Sequence, residues 1–256
     1  RHLPDPAGCQ VLRTPALRRS MPSGLRELAL MRLLYRRLDA AIAESKPALI
    51  HAHSPVLVAL PAQRAARRHR LPFVYEVRDL WENASVDLGK FSRGSWRYRL
   101  ARAADIRALE GADAVVVICD AMRRELESRL GSRTPVIVAG NGVQLEELNR
   151  EAPGSGRQRW QLGDGDVIGY VGTLHRFEGL DLLIDAVQAL RGERKGIRLL
   201  IAGDGPDENR LRSLVAGRGL DAVVSFAGRI SHGEVGQAYA ACDLLVYPRV
   251  ATETTR

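Results

Sequence analysis

The sequence predicts the α/β class, as two parallel-sheet units in series. Three observations lead there. Short apolar runs bounded by turn residues recur along the chain, separated by segments with helical spacing. One run, Ala114–Cys119 (AVVVIC), is continuously apolar, as a strand covered on both faces should be. The rhythm breaks over Glu151–Gly163, where Pro153, Gly154, Gly156 and Gly163 gather, and then restarts.

Leu25–Ile42 comes first. Leu28, Leu30, Met31, Leu34, Tyr35, Leu38 and Ile42 share one side of a helical wheel, and Arg26, Arg32, Arg36, Arg37 and Asp39 share the other. Such a stripe faces a core or, as the alternative, a membrane surface. Ala48–His53 is a short strand. Val56–Arg70 is a helix ending in a basic cluster, and Phe73–Val77 is a β-branched and aromatic strand. Trp96–Glu110 is helical, Ala114–Cys119 a strand, and Asp120–Leu130 a helix with Asp120 as its N-cap. Pro135–Ala139 is a strand before the turn signal Asn141-Gly142.

After the break, Val167–Val171 is a strand, and Leu180, Leu183, Ile184, Val187 and Leu190 mark a helix. Ile197–Ala202 is a strand followed by the loop Gly203–Pro206, then a helix over Glu208–Arg218 and a strand over Val223–Phe226. Ser231 and Glu234 have capping-box spacing and open a helix to Ala241; Leu244–Tyr247 is the last strand. The expected domains are therefore residues 1–150 and 164–256, both Rossmann-like, with 151–163 as the linker. Each is expected to be incomplete. No strong strand with a glycine-rich turn precedes Ala48, and a polar tail, Ala251–Arg256, follows the last strand. The chain opens on Arg1 rather than Met, so its natural start is expected upstream.

An apolar fraction of 45% excludes wholesale disorder. Pro47–Gln63, free of Lys, Arg, Asp and Glu, is shorter than the roughly 20 residues that span a bilayer. Cys9, Cys119 and Cys242 are far apart and lack metal-ligand spacing; the latter two read as buried free thiols. That pattern implies a reducing compartment, hence the cytoplasm. The net charge is +8, and residues 1–70 carry 13 basic and 4 acidic side chains. This front end attracts an anionic membrane surface or a phosphorylated acceptor, or is simply a solvated arginine-rich surface. Aromatics make up only 5% and no nucleic-acid motif appears, so no nucleic-acid partner is expected.

No G-x-S-x-G elbow, Walker A loop or G-x-G-x-x-G fingerprint is present. His51 and His53 are assigned to opposite strand faces, so no shared zinc is expected. His53 lies at a strand C-terminus, where open α/β sheets place ligands. Gly172-Thr173-Leu174-His175-Arg176 follows a strand and precedes a helix, a setting where glycine admits a phosphate to the backbone. Arg78-Asp79-Leu80-Trp81-Glu82 is the densest polar cluster at a strand end; with Glu76 beside it, mutual pKa shifts are expected, and a structural salt-bridge network is the alternative.

Eight stretches occur in a telling order: His51–Pro55 (HAHSP), Pro72–Glu82 (PFVYEVRDLWE), Gly111–Asp120 (GADAVVVICD), Asn141–Val143 (NGV), Gly169–Ile184 (GYVGTLHRFEGLDLLI), Gly203–Pro206 (GDGP), Phe226–Gly228 (FAG) and Ala241–Pro248 (ACDLLVYP). Together they resemble the GT4-type retaining glycosyltransferases of the GT-B fold, with wording similar to bacterial exopolysaccharide and exosortase-associated members. The resemblance implies two Rossmann-like domains facing a cleft, with a nucleotide-diphosphate sugar donor on the C-terminal domain and a lipid-linked or glycan acceptor on the N-terminal one. It implies no cofactor and no obligatory metal; with the cysteine pattern and the basic front end, the expectation is a cytoplasmic protein that contacts the inner membrane face peripherally.

Carried onto this sequence, the resemblance implies donor contacts at Gly172, Thr173, Arg176, Gly203, Asp204, Gly205, Gly228 and Ile230. Arg78 stands where many relatives have a histidine beside the transferred sugar, and Arg78, Asp79 and Glu82 form the candidate catalytic set. His53 and Asn141 are candidates on the acceptor and interdomain side. Thr173 replaces the usual arginine and Glu178 the usual lysine. The family's E-x7-E helix and N-terminal glycine-rich loop are absent, so the chain as it stands is expected to be catalytically impaired or inactive. A nucleotide-sugar epimerase of the same fold and a non-enzymatic basic surface-binding protein are the alternatives.

Overall fold

The computed structural model describes residues 11–15, 22–130, 134–143, 145 and 151–252. Cys9 lies outside the described residues, as do part of the basic front end and most of the polar tail. The chain divides into two compact units, Arg1–Asn141 and Gly142–Arg256.

The first unit holds a four-stranded parallel sheet in the order β1-β2-β3-β4: Ile50–His53, Phe73–Val77, Ala114–Val117 and Val136–Val138. Its helices are α1 (Ser23–Ser45), α2 (Val56–His69), α3 (Trp81–Asp87), α4 (Trp96–Glu110) and α5 (Asp120–Leu130). The period of two along a strand sorts the side chains. Ala52, Tyr75, Val115 and Val136 share a register row on the core side, where Tyr75 and Val115 are fully buried. The next row, His53–Glu76–Val116–Ile137, lies on the opposite face, where His53 and Ile137 are exposed.

Gln63 ties α2 to α4: its side-chain amide donates to the Ala108 carbonyl at 2.9 Å, satisfying a buried polar group. The apolar stripe of α1 divides. Ile42 is buried and Leu38 packs on the core, whereas Leu25 and Leu28 are exposed. Near its N-terminal half, α1, α2 and α4 enclose a groove of about 1050 Å³ whose walls include Leu28, Tyr35, Leu100 and the guanidinium-bearing Arg32, Arg64 and Arg107.

The second unit holds another parallel sheet, in the order β7-β6-β5-β8: β5 is Val167–Val171, β6 Arg198–Ala202, β7 Val224–Gly228 and β8 Leu244–Leu245. Its helices are α6 (Leu180–Leu190), α7 (Glu208–Gly217) and α8 (Val235–Ala240). Here both faces are covered. Leu199 and Ile201 of β6 enter one core with Leu183, Ile184 and Leu211, while Leu200 and Ala202 enter another with Trp160, Leu162 and Ala238. Among the described strands β6 is the one buried on both faces over four successive residues, whereas β3, continuously apolar and expected in that role, buries alternate residues.

Residues 151–163 belong to the second unit's packing rather than to a free linker. Trp160 and Leu162 are buried, the Gly154 N–H donates to the Ala240 carbonyl, and Arg157 donates two hydrogen bonds to Asp243 at 2.7 and 2.8 Å. An apolar Trp and Leu between glycines supply the anchor. The expected capping box is present, with the Ser231 N–H donating to Glu234 at 2.6 Å, although a single 3-10 turn precedes α8. Among the described residues no helix is long and apolar enough to cross a membrane.

Candidate functional site

In parallel sheets the strand C-terminal ends collect loops that meet ligands. Each unit has such an edge, and most of the residues singled out from the sequence lie on one or the other.

In the first unit, Arg78 directly follows β2, His53 ends β1, and Asn141 comes soon after β4. The Arg78 guanidinium donates to Asn141 Oδ1 at 3.1 Å, and its backbone N–H donates to Ser54 Oγ at 3.2 Å. Glu76 joins the group: its carboxylate lies 3.4 Å from His53 Nδ1, 3.1 Å from His51 Nε2 and 3.8 Å from Arg78 Nε. His53, Arg78 and Asn141 are therefore brought together at one edge. Asp79 is their neighbour. Partial burial lifts its carboxyl above the ordinary range, a hydrogen bond from the Leu80 N–H opposes this, and the nearby Glu82 and Asp87 charges push it up.

Glu82 has a different task from the one expected. Its side chain is 1% exposed and is paired with Arg129 Nη1 at 2.6 Å, Arg129 itself being 3% exposed and also paired with Glu125. A carboxylate committed in this way neutralises a buried guanidinium. Nearby, Tyr75 donates to Asp105 at 3.0 Å, and burial with the Glu82 charge pushes the Asp105 carboxyl up to about 6. Sequence reading of the Arg78–Glu82 cluster did not find these buried partners, because Asp105 and Arg129 come from distant helices.

The assignment of His51 and His53 to opposite faces is also corrected. Residues two apart on a strand share a face, and the two rings stack with centroids 4.7 Å apart. Cys119, expected to be buried, is exposed at the end of β3, whereas Cys242 donates to the Ala238 carbonyl and burial pushes its thiol up to about 11.

The second unit's edge is built mainly from backbone. The Gly172 N–H donates to the Ala202 carbonyl and the Gly203 N–H to the Gly228 carbonyl, so the loops after β5, β6 and β7 are laced together. The Leu174 N–H donates to the Asp204 carbonyl at 2.9 Å. Gly203 has φ +140, and a Cβ there would lie 1.8 Å from the Gly172 carbonyl oxygen; a Cβ on Gly205 would lie 2.4 Å from the Leu174 oxygen. Only glycine fits these close approaches. Thr173, Arg176 and Asp204 are exposed around them. The Ile230 side chain is partly buried and packs against the cluster that holds Trp160 and Ala202.

The sheet order reverses between β5 and β8, which makes a topological switch point. Arg249, which the sequence reading passed over, follows β8. Its Nε donates to Glu178 at 3.0 Å, so this buried carboxylate is neutralised. One 3-10 turn, Arg176–Glu178, separates the Gly172 loop from α6, which therefore does not open directly at Arg176. No motif announces the Arg249 contact, because its partner lies 71 residues earlier.

Comparison with known proteins gives a consistent picture. A family model described as a glycosyl transferase 4-like domain matches residues 1–142, and one described as glycosyl transferases group 1 matches residues 155–254. The alpha-D-kanosaminyltransferase of Streptomyces kanamyceticus is 28% identical over 153 residues, 58% of this chain and 40% of that protein. The GDP-mannose-dependent alpha-(1-6)-phosphatidylinositol monomannoside mannosyltransferase of Mycobacterium tuberculosis is 24% identical over 235 residues, 82% of this chain and 60% of that one. The crystal structure of HepE from Anabaena in complex with UDP superposes with a TM-score of 0.69 at 21% identity, covering 90% of this chain and 59% of that one. Sucrose-phosphate synthase from Thermosynechococcus elongatus gives 0.64 at 20% identity, with 88% and 56% covered.

Proposed function

On the premise that this chain belongs to the glycosyl transferase 4-like family and has the α/β fold of GT-B glycosyltransferases, we propose that it takes part in moving a sugar from a nucleotide-diphosphate donor to a lipid-linked or glycan acceptor with retention. The observation that carries this reading is the laced glycine edge of the second unit, beside the β5/β8 switch point. The lacing sets the Gly172–Thr173 and Gly203–Gly205 turns side by side at the strand C-terminal ends, where open α/β sheets meet ligands, and Arg176 is an exposed counter-charge for a diphosphate beside them. No metal is required for such contacts. Gly172, Thr173, Gly203, Asp204, Gly205 and Gly228 would border the donor, with Arg249 neutralising Glu178.

The first unit would serve the acceptor. Arg78, held by Asn141 and Ser54, is the candidate for stabilising charge at the reacting sugar. Asp79 and His53 are beside it on the same edge. The groove among α1, α2 and α4 combines leucines with guanidinium groups, which suits an anionic amphiphile and supports membrane contact through this unit. The mannosyltransferase relative is named for a phosphatidylinositol acceptor, which supports a lipid-linked one here. The relatives are named for transfers, which favours transfer over the epimerase reading.

The chain spans 40% and 60% of those two relatives, so donor binding is the readout suited to these 256 residues. Titration calorimetry with UDP and with GDP should show one site, weakened about tenfold by Arg176→Ala. Absence of binding to either nucleotide, or binding indifferent to Arg176, would refute the donor assignment.

A further inference from the structure

We propose that His51, His53 and Glu76 form a binding site for a divalent transition-metal ion of the zinc class on the open face of the first sheet. All three side chains project from that face: His53 and Glu76 are register partners on β1 and β2, and His51 precedes His53 by one full strand period. Each offers one donor atom, and the three atoms lie within 4.8 Å of one another. The carboxylate sits 3.1 Å from His51 Nε2 and 3.4 Å from His53 Nδ1. Zinc bonds to nitrogen and oxygen of about 2.1 Å place the corners of a tetrahedron about 3.4 Å apart; each imidazole already lies at about that spacing from one oxygen of the carboxylate, Oε2 for His51 and Oε1 for His53, so a modest side-chain rotation brings one donor from each residue onto a shared ion.

The chemistry of the set fits as well. Two imidazoles and one carboxylate suit zinc and its neighbours in the first transition row, and leave a fourth position open to solvent. The imidazole side chains are 41% and 52% exposed, so an ion can enter, while Glu76 at 17% is held by the sheet. Arg78 is the opposing influence. Its Nε lies 3.8 Å from the same carboxylate, and its charge weakens a cation there, so the site is an exposed three-ligand one rather than a closed structural centre. The site belongs wholly to the first unit and does not depend on the donor contacts proposed for the second.

The test is titration of the metal-free chain with Zn²⁺ against a chromophoric chelator, with thiols alkylated beforehand. One ion per chain is expected. His51→Ala, His53→Ala and Glu76→Gln should each weaken uptake by about tenfold or more, with far-ultraviolet circular dichroism unchanged. X-ray absorption of the zinc-loaded chain should show two imidazole ligands. Zinc uptake equal in the wild type and the His51→Ala/His53→Ala double variant would overturn the proposal, as would no uptake by the wild type. The alternative, a His–Glu–His hydrogen-bonded cluster without an ion, predicts the second of these results.

Discussion

The first sheet runs β1-β2-β3-β4 in chain order, whereas the second runs β7-β6-β5-β8 with its earliest strand inside. The two edges differ accordingly. The first gathers side chains, His53, Glu76, Arg78 and Asn141, which touch through imidazole, carboxylate, guanidinium and amide. The second gathers main chain, with Gly172, Gly203 and Gly228 linked through N–H and carbonyl groups. An edge made of side chains can lose chemistry without losing its fold. An edge made of backbone cannot be altered without disturbing the strands that carry it.

Four experiments would break or sharpen that contrast. The largest effect is expected at Gly203→Ala, where strain at φ +140 and a Cβ 1.8 Å from the Gly172 oxygen should cost about 4 kcal/mol or more. Urea unfolding followed through Trp160, which is buried in the second unit, would read it; an unshifted midpoint would mean the loops are not held by this approach.

Glu82→Gln should cost about 3 kcal/mol, because it leaves the buried Arg129 with only the part-exposed Glu125. Trp81, at the start of α3 beside Glu82, is the natural probe. An effect below about 1 kcal/mol would return Glu82 to the candidate catalytic set.

Asp105→Asn tests the same region through pH. Burial lifts the Asp105 carboxyl to about 6, so the folded chain holds the proton more tightly than the unfolded one. That advantage is full below about pH 4 and is lost as pH rises through 6. The variant should therefore be more stable than the wild type by about 1–3 kcal/mol at pH 8, with the difference falling toward pH 4. A difference independent of pH would show that Asp105 does not titrate there.

The smallest stability change is expected at Arg78→Ala. Its side chain is 52% exposed, so the midpoint should move by no more than about 0.5 kcal/mol. In a sugar-transfer assay, the same substitution should lower turnover by about a hundredfold. Unchanged turnover would remove Arg78 from the reaction.

Much of this was legible in the sequence. Periodicity located the strands within a residue or two, because β-branched runs such as Phe73–Val77 and Val167–Val171 have few other places to go. Gly203 and Gly205 were legible only as a loop and, through the family resemblance, as donor-side residues; the close backbone approaches that require them are seen only in the fold. Three things were not. The pairing of Glu82 with Arg129 spans 47 residues, and a polar cluster at a strand end looks the same whether it faces solvent or a guanidinium from another helix. Residues 151–163 resemble a linker by their glycines, but Trp160 and Leu162 carry enough apolar surface to anchor them. The shared face of His51 and His53 followed from strand period alone, and only a misassigned parity hid it.

The Glu178–Arg249 contact has a consequence for how such a chain can evolve. Glu178 is buried, and its counter-ion arrives from beyond the last strand. A drift from Glu178 to lysine, taken alone, would set a second cation against Arg249, whose own side chain is 57% exposed and can turn away into water. Loss of Arg249 alone would leave the buried carboxylate without its counter-ion. The arginine is thus the more tolerant partner of the two, and the order in which a lineage changes these positions matters: 178 first, 249 after.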